Sequence, residues 1–165
     1  MISRVRQRIT PHLWYATGAE EAARFYASIF PDSRVNRATP LPVDSPSGPA
    51  GSVKMVDFTL FGQPFQAISA GPLDPFNHAI SLVVACDDQA ELDRYWNALL
   101  AGGQAEQCGW LKDKYGLSWQ IVPARLGEMM EDSDPAKARR VAQAILKMVK
   151  LDIAGLEAAY AGRSA

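Results

Sequence analysis

The sequence is poor in residues that staple, chelate or span a membrane. Its 165 residues include only two cysteines, Cys86 and Cys108, and two histidines, His12 and His78. Two cysteines build neither a disulfide framework nor a cysteine-paired metal site, so reduced thiols are expected. No apolar run approaches the roughly 18 residues needed to cross a bilayer. The basic start, Met1 to Arg8, lacks the apolar core of a secretory signal. A cytoplasmic protein without a membrane partner is therefore expected. Neither sign of charge is in excess, with 17 Lys and Arg against 18 Asp and Glu. That excludes the basic footprint of a nucleic-acid binder and the acidic tract of a solvating tail. No Ser-His-Asp order, P-loop, zinc-protease helix motif or deaminase motif is present either.

What is present is an ordinary globular composition, 48% hydrophobic and 21% charged, on a chain long enough for one domain with a real core. Large or apolar residues at Ala22, Phe25, Tyr26, Ile29 and Phe30 trace one face of an amphipathic helix, which Pro31 ends. Leu92, Tyr95, Trp96, Leu99 and Leu100 repeat that spacing, and Gly102-Gly103 ends the second run. The two helices align at an offset of 70 residues, with Phe25-Tyr26 on Tyr95-Trp96, Glu21 on Glu91 and Arg24 on Arg94. Short strand candidates, Ile9 to Ala16 and Ala79 to Cys86, precede them with no gap needed. A second match runs at an offset of 54, where Phe61-Gly62-Gln63-Pro64-Phe65-Gln66-Ala67-Ile68 meets Tyr115-Gly116-Leu117-Ser118-Trp119-Gln120-Ile121-Val122. A glycine between strand-like runs reads as a hairpin turn. Each copy is thus strand, helix, then strands ending in a hairpin.

The first copy is longer by the Pro-, Ser- and Gly-rich stretch Thr39 to Ser52. It is expected to be a mobile loop, serving as a functional lid or standing as an inert insertion. Its glycines, in Ser47-Gly48-Pro49-Ala50-Gly51, have no helix behind them to reinforce their backbone amides. After the second copy the chain reads as helical. Pro123 to Met130 makes a turn or two, and Asp134-Pro135 caps a helix with apolar positions from Ala138 to Val149. A last helix is expected over Ile153 to Tyr160. The reading is a single α+β domain, residues 1–165, with module 1 over 9–72, module 2 over 73–123 and a helical tail over 124–165.

Three stretches carry a family resemblance: Ile9-Thr10-Pro11-His12-Leu13-Trp14, Glu20 to Pro31, and Cys108-Gly109-Trp110-Leu111-Lys112-Asp113-Lys114-Tyr115-Gly116-Leu117-Ser118-Trp119-Gln120-Ile121-Val122-Pro123. The chain resembles the glyoxalase/bleomycin-resistance/dioxygenase, or vicinal-oxygen-chelate, superfamily. Within it, the chain is similar to the PhnB-like branch that often carries the name 3-demethylubiquinone-9 3-methyltransferase, over roughly residues 9–160. The resemblance implies two tandem βαβββ modules, a curved mixed sheet around a cleft, and a homodimer.

The resemblance also implies where a divalent metal would be held, namely by side chains of the first and last strands of each module. The last-strand places fall near Gln66 and Gln120, which are repeat partners and bring neutral amide oxygens rather than charge. In the first strands, His12 aligns with Leu82, and His78, at the start of the second strand, aligns with Arg8. Aligning on Phe25-Tyr26 moves the ligand place to Pro11, and a one-residue slip in a strand reverses the face. The candidate cleft residues are His12, Trp14, Gln66, His78 and Gln120. Were the glutamines to face the cleft, Phe65 and Trp119 would face the helices. Asp57 interrupts an apolar strand, facing solvent or acting as a cleft acid. Cys108 has no basic neighbour in sequence to make it a thiolate. Two functions stay open. One is a binding protein that encloses a small molecule without cofactor or tightly bound metal. The alternative is a metal-dependent glyoxalase- or dioxygenase-type enzyme.

Overall fold

A computed structural model describes residues 8–72 and 74–163. The signal-free reading of the N-terminus falls on residues 1–7 and so lies outside the described residues. The chain divides into two compact units, residues 1–74 and 75–165. Each holds one βαβββ module, and the helical tail belongs to the second.

In the first unit, β1 (His12–Tyr15), α1 (Ala19–Ile29), β2 (Arg34–Pro40), β3 (Lys54–Leu60) and β4 (Gln63–Ser69) form a four-stranded sheet in the order β1-β4-β3-β2. β1 runs parallel to β4 and the other pairs are antiparallel. Ala19, Ala22, Ala23 and Tyr26 are the buried face of α1. Three alanines in that stripe let the helix lie close to the sheet, with Phe25 and Ile29 half-buried at its margin. Its N-cap, Gly18, is left-handed and offers no side chain, so Ser69 Oγ accepts the Ala19 N–H instead, at 2.9 Å. Beneath the helix lie Leu13, Tyr15, Val56, Phe58, Phe65 and Ala67, all buried. Phe58 and Phe65 stack with centroids 5.4 Å apart. The β3–β4 hairpin turns on Phe61-Gly62, both at positive φ, which matches the twist of the strands it joins.

The long insertion differs from expectation at its start. Thr39 and Pro40 are the end of β2, paired with Met55 and Lys54. From Leu41 to Val53 the chain folds back on itself. The Leu41 N–H donates to the Val53 carbonyl, Gly51 N–H to the Leu41 carbonyl, and Ser45 and Gly48 exchange backbone bonds.

In the second unit, β5 (Leu82–Cys86), α2 (Gln89–Leu100), β6 (Gln104–Ala105), β7 (Trp110–Lys112) and β8 (Ser118–Pro123) form a sheet in the order β5-β8-β7-β6. Asp88 caps α2 by accepting the Glu91 N–H at 2.8 Å, and the Glu91 carboxylate returns to the Asp87 N–H. Leu92, Tyr95, Trp96 and Leu99 are buried against Val84, Leu111, Trp119 and Ile121. The tail forms α3 (Leu126–Met130), α4 (Pro135–Ile145) and α5 (Ile153–Tyr160). Asp134 caps α4 with Pro135 in its first turn, but the helix stops at Ile145 rather than reaching Val149. The chain turns there so that the Met148 and Val149 carbonyls accept the Cys108 and Gly109 N–H groups, both at 2.8 Å. Arg140 closes the tail by donating to the carbonyls of Ala159 and Tyr160. Among the described residues no helix is long and apolar enough to cross a membrane.

One detail of the repeat is corrected. His12 pairs with Gln66 and Val83 pairs with Gln120, so the first strands align at an offset of 71, while the helices align at 70. The joint between strand and helix has three residues in the first module, Ala16-Thr17-Gly18, and two in the second, Asp87-Asp88. His12 therefore corresponds to Val83 rather than Leu82. The alternation agrees, since Leu13 and Tyr15 are buried as Val84 and Cys86 are. An ungapped offset of 70 sets His12 against Leu82, which lies on the opposite face of its strand from Val83.

Candidate functional site

Strand residues alternate between faces. In the first unit, Leu13, Ala67 and Val56 point toward α1, so their neighbours point away. Register then brings four polar residues into one row across that open face, with His12 beside Gln66, Gln66 beside Asp57, and Asp57 beside Arg37. Gln66 Nε2 donates to Asp57 Oδ1 at 2.9 Å. Arg37 donates through Nη2 and Nε to the other oxygen, Oδ2, at 3.0 and 3.3 Å. The Gln66 hydrogen bond, followed by Arg37, holds the Asp57 carboxyl below its usual range against the opposing effect of burial. Asp57 is thus an ionised residue on an interior strand, tied to two partners.

A cavity of about 280 Å³ adjoins the row, lined by Arg37, Asp57 and Gln66 together with Thr39, Pro40, Leu41, Pro42 and Met55. Its polar groups come from the sheet, and the insertion supplies an apolar side. Trp14 lies on the same face as His12, 38% exposed, and its indole donates to the Gly71 carbonyl. His12 is exposed, and among the described residues its imidazole makes no hydrogen bond. A larger cavity of about 460 Å³ lies beside the start of α1. Its charges are already matched, for Glu20 pairs with Lys54 at 3.7 Å and with Arg24 at 2.7 Å.

In the second unit the corresponding row is Val83, Gln120 and Trp110. Gln120 Nε2 bonds to Ser81 Oγ at 2.8 Å. Val83 is 61% exposed and brings no donor atom. His78 lies outside β5, in the turn before it, because β5 begins at Leu82 rather than Ala79. Its Nε2 is 2.8 Å from Glu106, and its ring lies 6.1 Å from that of Trp110. His78 thus hydrogen-bonds to Glu106 from a turn rather than standing at a strand position. Phe65 and Trp119 are buried on the helix side, as expected if the glutamines face away from it. Among the described residues no three His, Cys, Asp or Glu side chains cluster as metal ligands.

Sequence reasoning missed Arg37 and the role of Asp113. A bulge between Val35 and Arg37 breaks the period-two pattern that would have put Arg37 in the row. Asp113 is 3% exposed and organises the second hairpin, accepting from Tyr115 N, Leu117 N and Trp119 Nε1. The run Asp-x-x-Gly before a strand was the available signal.

A family profile described as 3-demethylubiquinone-9 3-methyltransferase matches residues 7–122, both modules without the helical tail. Among solved structures, a Bacillus cereus PhnB protein described by the same activity is 32% identical. It covers 70% of this chain and 99% of its own, with a TM-score of 0.61. A Pseudomonas aeruginosa protein is 21% identical, covering 71% of this chain and 96% of its own at a TM-score of 0.53. The fosfomycin resistance protein FosX of Mesorhizobium loti is 14% identical, covering 73% and 92% at a TM-score of 0.51, a likeness of fold. No curated protein matches the chain.

Proposed function

We propose, for a chain that belongs to the PhnB-like family described as 3-demethylubiquinone-9 3-methyltransferase, and with it to the vicinal-oxygen-chelate superfamily, that it holds a small molecule on the open face of its first module. The observation that carries this is the row His12, Gln66, Asp57 and Arg37 beside a cavity with one apolar side. Small-molecule sites are mostly apolar concavities with a few placed polar groups, and this combination has that composition.

The family's methyltransferase description would call for a methyl donor, and the residues do not fit one. The strand-to-helix joints are Ala16-Thr17-Gly18 and Asp87-Asp88, one with a single glycine and the other with two carboxylates. The glycine-bearing loop joins two strands and leads into no helix. A divalent metal, which the superfamily implies, fits poorly as well. Two neutral amides stand at the last-strand places, Val83 stands opposite Gln120, and Asp57 is engaged by two partners. Hard cations favour charged oxygen donors. We therefore favour binding without a tightly held metal.

A metal-dependent enzyme is the second reading, and the unengaged imidazole of His12 beside Gln66 favours it. Metal analysis of protein purified without chelator separates the two. Stoichiometric Zn, Ni, Mn or Fe, lost in His12→Ala, would replace the binding reading by the enzymatic one. A metabolite screen that raises the melting temperature of metal-free protein supports the first. That rise should disappear in Gln66→Leu. The insertion acts as a lid in this reading, so thermolysin cleavage between Leu41 and Val53 should slow with a stabilising metabolite bound. We further take a second copy of the chain as its partner, on family resemblance; light scattering that returns a monomer mass would remove that part.

A further inference from the structure

We infer that Asp57 is a positioning residue that fixes which end of the Gln66 amide faces a ligand, and that the site thereby selects molecules able to donate a hydrogen bond. This rests on the small-molecule reading of the same face. A glutamine amide has a donating and an accepting end of nearly equal shape, and its neighbours decide which end points where. An ionised carboxylate only accepts. Asp57 is paired with the Arg37 guanidinium at 3.0 Å, which favours its ionised form independently of the amide, so the group turned to it must be the amide NH2. The 2.9 Å contact from Gln66 Nε2 to Asp57 Oδ1 has that sense. The carboxylate is itself held in place, because Arg37 occupies its other oxygen through two donors.

The consequence lies at the other end of the amide. Among the described residues nothing donates to Gln66 Oε1, and the residue is only half-buried. A carbonyl oxygen is therefore left without a donor at a cavity that the apolar Leu41, Pro42 and Met55 also line. The matching ligand class is a small molecule with an apolar body and a hydroxyl or amine donor. The remaining N–H groups of Arg37 do not reverse this, since its side chain is 72% exposed and donors in water discriminate little. Gln120 makes the contrast. Its partner is the Ser81 hydroxyl, which can either donate or accept, so that amide is not locked.

Two measurements on the full-length protein test this. The first needs no ligand. In isotope-labelled protein, the Gln66 side-chain NH2 resonances should exchange slowly with water and shift as acid titrates Asp57. Asp57→Asn, which preserves shape but lets the amide face either way, should abolish both effects. Arg37→Met, at an exposed position that folding tolerates, should weaken them. A Gln66 NH2 group in wild type that behaves like a solvent-exposed glutamine overturns the lock while leaving small-molecule binding intact. The second uses benzyl alcohol and benzyl methyl ether, matched except for the donor. Wild type should bind the alcohol about 5-fold more tightly, the value of one net hydrogen bond, and Asp57→Asn should lose that preference. Equal binding of the pair to wild type overturns the selectivity. Absence of shifts on this face with either probe counts against the binding reading itself, with the first measurement still deciding the lock.

Discussion

Replacing Asp113 by alanine should destabilise the second unit by several kcal/mol, although the residue lies in a turn. Its carboxylate accepts from Tyr115 N at 2.8 Å, Leu117 N at 3.1 Å and Trp119 Nε1 at 2.8 Å. Leu117 and Trp119 are 1% and 2% exposed, so water cannot replace the lost acceptor there. A buried donor left without a partner costs about 1–3 kcal/mol, and two such donors give about 2–6 kcal/mol. The Tyr115 N–H is nearer solvent and adds little. Urea unfolding followed by circular dichroism measures the total, and hydrogen exchange at Ser118 to Val122 assigns it to the second unit. Asp113→Asn is the graded control. Its carbonyl oxygen can keep the two backbone bonds, but its NH2 then meets the Trp119 N–H donor to donor, so about half the loss should remain. A cost below about 1 kcal/mol for Asp113→Ala, or equal costs for the two variants, would refute the reasoning.

Three further outcomes are expected. The folded Asp57 carboxyl lies below its unfolded value near 3.8, so its contribution is full above that value and fades as pH falls through the lower, folded one. The stability gap between wild type and Asp57→Asn should narrow on acidification from pH 7, and a gap that widens in urea titrations would reverse the sign. Burial pushes the Cys86 thiol up to about 12, while Cys108 is partly exposed. A thiol reagent should therefore label one cysteine in native protein and the second only on unfolding, and equal labelling rates would contradict the burial. Gly109 has φ +81°, and an added Cβ would lie 3.0 Å from the Ile121 carbonyl and from Leu151 Cγ. Gly109→Ala should cost at least about 1–2 kcal/mol and loosen the contact with Met148 and Val149, read as faster exchange of the amides at positions 108 and 109, which donate to those carbonyls; a neutral substitution would sink this account.

Much of the fold was legible because it rests on periodicity and duplication. The helices over Ala22 to Phe30 and Leu92 to Leu100, the Gly62 turn and the Asp134-Pro135 start of α4 are local signals, and each appears in the structure. What was not legible depended on counting across a joint or a bulge. The extra residue in Ala16-Thr17-Gly18 shifted His12 from Leu82 to Val83, and the irregularity after Val35 hid Arg37 from the row it joins. His78 was misplaced because the apolar run from Ala79 looks like a strand, whereas β5 pairs only from Leu82. Of the candidate residues, spacing put Trp14 on the face of His12 but left open which face that is; strand pairing sets His12 beside Gln66, and the bond that gives Gln66 its orientation links residues nine positions apart, through a pairing that spacing alone does not show.

The unequal joints carry a practical lesson for anyone hoping to build symmetry back into this molecule. A protein engineer copying the first module's imidazole onto the second by sequence ruler would rewrite Leu82 and place the ring on the face packed against α2. Rewriting Val83 puts it in the open, next door to Gln120. One residue of difference between the joints thus decides whether a copied side chain is entombed or reaches solvent.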